Sequence, residues 1–162
     1  MSGSGMRYAK ELDGVRANIG AYGRLKLVRG AVLNSWEKYG VHLLYAIMSL
    51  VQSEPILVYC RPAGHMSVSV QTNDGLLVQI DALGESPRCF RLELFGTQLI
   101  SSHDIMDNFS MFRRMLCKFS EMIHKGRCDI TADQTIDMMK ILMAGRVSRT
   151  ERREVFLNEI QV

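Results

Sequence analysis

The chemistry of this chain concentrates in Trp36-Glu37-Lys38-Tyr39-Gly40-Val41-His42, which the apolar run Leu43-Leu44-Tyr45-Ala46-Ile47-Met48 follows. An imidazole titrates near neutral pH, so His42 suits the removal of a hydroxyl proton. Lys38 lies four residues earlier and shares its face if the helix begins early enough. There its ammonium would depress the imidazole's pKa by like-charge repulsion, or bind an anionic group. Trp36 and Tyr39 can stack on the apolar face of a ring or donate hydrogen bonds. Asn34 and Ser35, just before the motif, offer further hydrogen bonds. Each residue also has a plainer reading. His42 could be a core histidine bonded to backbone, Lys38 a solvated cation, and Trp36 fits a core anchor better than a stacking platform.

Several elements must hold that stretch in place. The chain's 162 residues suit one domain, and at this length roughly 70% of the unfolded surface is buried. Apolar content of 47%, charged content of 23% and a net charge of +3 describe a soluble globular protein, without the strong basicity of a nucleic-acid binder. Cys60, Cys89, Cys117 and Cys128 form no C-x-x-C pair and read as reduced, buried thiols of a cytoplasmic protein. No signal peptide and no membrane-spanning run stand out. Residues 1–6, Met1-Ser2-Gly3-Ser4-Gly5-Met6, offer nothing to pack and read as a leader or cloning remnant, leaving 7–162 as the domain.

Tyr8, Leu12 and Val15 predict a short helix over 7–18, and a strand follows over 24–34. A helix that is apolar nearly all round spans 40–52 and must be buried on several sides. Ile56 to Cys60 is a strand. Met66, Val68 and Val70 then alternate with Ser67, Ser69 and Gln71, and Asn73-Asp74-Gly75 turns into Leu76, Val78 and Ile80. Phe90, Leu92 and Leu94 continue the pattern to a turn at Gly96. Ile105, Phe109, Phe112, Leu116, Phe119 and Ile123 make an amphipathic helix over 106–125, capped by Asp104 or Asp107 and ended by Gly126. A second helix opens at Thr131 and runs to about 148, and Val155-Phe156-Leu157 is a closing strand. The fold class is α+β: an open, predominantly antiparallel sheet with helices on one face.

Other candidate groups carry less. His65, His103 and His124 lack zinc-site spacing to each other or to the cysteines, so no metal is expected. Arg146, Arg149, Arg152 and Arg153 read as a solvated face, since no aromatics interleave them for nucleic-acid binding. The methionines read as core fill.

From Arg7 to its end the chain resembles the C-terminal domain of the Gfo/Idh/MocA oxidoreductases. Arg7-Tyr8, a short helix, a glycine turn and a strand resemble the segment after that family's nucleotide domain. Trp36 to His42 resembles its site motif, in which a histidine ends a D-x-x-x-H or K-x-x-x-H run, the position of Lys38 being aspartate in many relatives. Phe109 to Ile123, Gly126, Asp133-Gln134-Thr135, Ile141 to Gly145 with Ser148, and Val155-Phe156-Leu157 resemble its usual ending. The resemblance implies the substrate-binding and oligomerisation domain of an NAD(P)-dependent enzyme acting on a sugar or polyol. It implies His42 and Lys38 as catalytic groups, with Trp36, Tyr39, Asn34, Arg7 and Tyr8 around the substrate. The chain lacks G-x-G-x-x-G after a strand, and it lacks the family's Glu-Lys-Pro. It should therefore bind no cofactor alone, with NAD or NADP held in the full-length parent by a Rossmann domain in cis or trans. A homodimer or homotetramer is expected through the sheet's outer face, where Met66, Val68 and Val70 would present an apolar row. The competing reading is a non-catalytic protein-interaction module derived from that fold. Neither nucleic acid nor membrane is expected as a partner.

Overall fold

The computed structural model describes residues 3–161. Successive side chains of a strand point to opposite faces, so each alternating run can line a core on one side and meet solvent on the other. The runs form β1 (Leu25–Val32), β2 (Pro55–Pro62), β3 (Met66–Thr72), β4 (Leu77–Ala82), β5 (Phe90–Gly96), β6 (Ile100–Asp104) and β7 (Val155–Phe156). They join in one open sheet of order β6-β5-β1-β4-β3-β2-β7. Only the β1/β4 pair is parallel among the described strands, and the rest are antiparallel. The expected α+β class is what the structure has.

The register sets Val58, Val70, Val78, Val28 and Leu94 abreast on the inner face, each buried. Val68, Ile80, Gly30 and Leu92 form the next inner row. Met66, Val68 and Val70 thus face the helices. The expectation that they line the outer face is corrected: alternation gives two faces but not which one the helices cover.

Helix α2 (Val41–Ile47) lies on that inner face with Leu43, Leu44, Tyr45, Ala46 and Ile47 buried. It is shorter than the expected 40–52. Ser49 turns back on it, donating both its N–H (3.2 Å) and its hydroxyl (2.6 Å) to the Ala46 carbonyl. Gly30 sits beneath Leu43, where any Cβ would overlap the leucine side chain. Helix α4 (Ala132–Glu151) crosses β2 and begins with a Thr131–Gln134 capping box.

The N-terminal stretch is broken rather than one helix. Two 3-10 turns, Gly5–Tyr8 and Lys10–Leu12, meet at the extended Ala9, and α1 covers Asp13–Ala17. Met1 and Ser2 lie outside the described residues. Ser4, Gly5 and Met6 are buried, so packing begins ahead of the expected boundary at Arg7. Of the four thiols only Cys60 is buried; Cys117 and Cys128 are exposed.

Helix α3 (Asn108–Lys125) keeps its expected ends. The Asp107 carboxylate accepts from Ser110 N–H (2.9 Å), and Gly126 takes φ +66°. Its apolar stripe, however, faces outward. Phe109 is 77% exposed, Phe112 54%, Leu116 61%, Phe119 42% and Ile123 63%.

Candidate functional site

His42 enters the site from the first turn of α2, whose side chains from Leu43 to Ile47 are buried. The preceding Trp36–Gly40 forms a π turn, with the Ser35 hydroxyl accepting from Lys38 N–H at 3.4 Å. Trp36 anchors it. The indole is fully buried and donates to the Leu142 carbonyl of α4 at 3.2 Å. Gly40 and Gly145 close in on the ring, and a Cβ at Gly145 would stand 2.9 Å from its Nε1. The motif is thereby pinned between α4 and the sheet.

A cavity of about 490 Å³ opens beside the imidazole. Tyr39, Phe90, Met111, Phe112 and Met115 supply apolar walls, and Ser4, Arg88 and Asn108 bring polar groups to it. Tyr39 stacks on Phe90 with centroids 5.9 Å apart and meets His42 edge-on at 5.8 Å. His42 Nδ1 lies 3.0 Å from Ser4 Oγ, which also accepts from Met6 N–H at 3.2 Å. One lone pair of that oxygen is engaged by Met6 and the other can accept from Nδ1–H, the tautomer that leaves Nε2 as the ring's acceptor. Arg88 is fixed by donating to the Met106 carbonyl (2.7 Å) and Asn108 Oδ1 (2.8 Å). Burial pushes the imidazole's pKa below its ordinary value. It is therefore neutral at pH 7, the form that accepts a proton.

The seven residues singled out in the sequence do not converge. His42 and Tyr39 share this cavity. Asn34 and Trp36 line another. Arg7 and Tyr8 line a third with Asp13, Arg16 and Arg114. Lys38 is exposed and lines none of the three. A π turn takes more residues per revolution than an α-helix, so the four-residue spacing does not stack Lys38 over His42. Burial alone shifts His42, with no contribution from the lysine's charge. Sequence reasoning missed Ser4, Arg88, Phe90 and Asn108. Ser4 fell in the presumed leader, while the others come from distant segments that only the sheet register and the Asp107 cap bring to His42.

Gly14 and Gly20 do not form a dinucleotide cradle. Gly14 lies in the short α1 and Gly20 in a 3-10 turn, with no strand before either. Nothing there forms the strand–turn–helix that cradles a pyrophosphate. No described group of three or more metal-ligating side chains gathers, and no described helix is long and apolar enough to cross a membrane.

No protein-family model matches the chain, and no curated protein matches it in sequence. Solved structures match it in fold. A probable dehydrogenase from Thermotoga maritima superposes with a TM-score of 0.83 at 14% identity, over 96% of this chain and 64% of its own. A myo-inositol dehydrogenase from Corynebacterium glutamicum gives 0.79 at 15% identity, over 95% and 63%. GenD2 from gentamicin A biosynthesis, in complex with NAD, gives 0.78 at 14% identity, over 98% and 62%. The chain thus spans just under two thirds of the length of these solved chains, and what it shares with these dehydrogenases is their fold.

Proposed function

We propose that the chain is the substrate-binding part of an NAD(P)-dependent oxidoreductase acting on a sugar or polyol, with a Rossmann domain supplied in cis or in trans. The observation that carries this reading is the neutral, half-buried His42 imidazole in a cavity with aromatic and polar walls, on a dehydrogenase fold. Oxidation of a carbinol requires its hydroxyl proton to leave, and His42 accepts it. Tyr39 and Phe90 give the apolar surface that a sugar ring's face packs on, and Arg88 and Asn108 supply polar contacts for its hydroxyls. Lys38 has no part in this proton path.

The outward stripe of α3 supports the same reading. Five large apolar side chains at helical spacing stay in water unless something covers them. Phe112 belongs both to that stripe and to the wall of the His42 cavity. A domain seated on α3 would bury the stripe and close the cavity over the imidazole, which excludes water from the reacting groups.

Titration with myo-inositol and with D-glucose, followed by the ring proton resonances of His42, tests the proposal. The expected result is a saturable shift with one of them, abolished in Phe90→Ala, and no binding of NAD to this chain alone. Silence of the imidazole toward every polyol, with the cavity intact, would overturn it. That outcome would favour the second reading, a non-catalytic interaction module, which the α3 stripe alone also satisfies.

A further inference from the structure

We propose that a second cavity, between the end of β2, the Asn34–Glu37 loop and the C-terminus of α4, binds the phosphate group of a small molecule. This cavity holds about 420 Å³ and stands apart from His42 and from the dehydrogenase reading. Arg61 lines it from β2, and Arg149 and Arg152 line it from the end of α4. None of the three makes an ion pair among the described residues, as is also true of Arg7, Arg24, Arg88, Arg113, Arg127 and Arg146; what distinguishes these three is that they line one cavity. Glu37 is the one carboxylate in the lining, and the neighbouring His65 is taken up by Asp81 at 3.0 Å. Three exposed arginines and one carboxylate thus border a single concavity, leaving it with an excess of positive charge.

Two contacts tie the cavity's frame together. The Ser148 hydroxyl accepts from Cys60 N–H at 2.8 Å, tying α4 to β2, and Arg149 packs on Met66 with its Nη1 3.8 Å from Sδ. The sequence presents Arg146, Arg149, Arg152 and Arg153 as one exposed cluster. All four stay exposed, but the fold divides their surroundings: Arg153 pairs with Glu151 and Glu159, while Arg149 and Arg152 border the cavity. Asn34 (φ +64°) and Arg152 (φ +56°) are the non-glycine residues with positive φ among those described, and both line this cavity. Arg152 ends α4 in the left-handed conformation, where glycine is the relaxed choice. An arginine at that point sets a guanidinium at the cavity wall at a conformational cost.

Guanidinium forks match the oxygens of phosphate in bidentate pairs. Three forks, with the Asn34 amide and the Ser35 hydroxyl beside them, offer more donors than a carboxylate's two oxygens can take. The volume lies in the small-molecule range, which leaves room for whatever carries the phosphate.

Calorimetry and thermal melts with inorganic phosphate, against sodium chloride at matched ionic strength and against citrate, decide the matter. The expected result is saturable binding of phosphate, at least tenfold tighter than citrate. Arg149→Gln should weaken it about tenfold. Arg152→Gly should also weaken it about tenfold while raising the melting temperature of the free chain, because glycine relaxes the helix end. Phosphate behaving like chloride, citrate matching phosphate, or either variant binding phosphate as the wild type does would each overturn the proposal.

Discussion

His42 is a titratable group whose surroundings change its proton affinity on folding. Its pKa is lowered by burial, so the unfolded chain binds a proton more readily than the folded one does. Stability from this residue is full above the ordinary histidine value of about 6.5 and is lost as the pH falls from there toward the lowered folded value. Denaturation midpoints measured from pH 8 to pH 5 should therefore fall more steeply for the wild type than for His42→Asn. A variant as acid-sensitive as the wild type would contradict the assignment. The residue types of the motif were legible in the sequence, and so was Trp36 as a core anchor. The geometry of Lys38 was not, because one π turn rotates everything before it and leaves no compositional trace. Ser4 was invisible for another reason: a serine between two glycines carries no periodic signal, yet its hydroxyl orients the imidazole.

Elements were legible wherever period and punctuation agreed. The Asn73-Asp74-Gly75 turn lies where expected, with Gly75 at φ +83°. Asp74 there accepts from the Thr72 (2.6 Å) and Ser53 (2.7 Å) hydroxyls, which hold its carboxyl down to about 2. Both ends of α3 and the start of α4 likewise follow from Asp107, Gly126 and Thr131, whereas α4 runs to Glu151, past the expected 148. What pattern cannot say is what covers a face, and two mutations expose the difference. Gly30→Val drives a branched side chain into Leu43 and Ile47 at the centre of the sheet. It should cost about 1–3 kcal/mol or more in urea unfolding, the range for overpacked cores. Leu116→Glu, on the outward stripe of α3, should change the same measurement by no more than about 0.5 kcal/mol. A large loss at Leu116 would mean that the stripe packs within this chain after all.

At the scale of the whole molecule the sheet's outer face keeps large apolar side chains in water, among them Leu77, Ile100 and Phe156. Register places Phe156, Leu57, Leu77, Leu27, Phe95 and Ile100 in one row across that face, interrupted only by Gln71. This row, rather than Met66, Val68 and Val70, is the apolar surface available to a second copy. Beside it Ser69 has a buried hydroxyl with no hydrogen-bond partner among the described residues. Asp81 shows how polar groups survive there: burial raises its pKa, and Ser67, His65 and Arg29 together bring it below the ordinary value. Seven strands at about 4.8 Å spacing and some 20 Å of strand length give roughly 700 Å². That is close to the 800 Å² or so that each partner contributes to a standard interface. A face-to-face pair also needs no edge pairing, so both sheet edges stay free. Light scattering at micromolar concentration should then find a dimer for the wild type. Leu77→Glu, at the centre of the row, should give a monomer with an unchanged far-ultraviolet circular dichroism spectrum. If the wild type is itself a monomer at that concentration, the row is not an interface. If Leu77→Glu remains dimeric, copies meet elsewhere, and the α3 stripe becomes the surface to alter next.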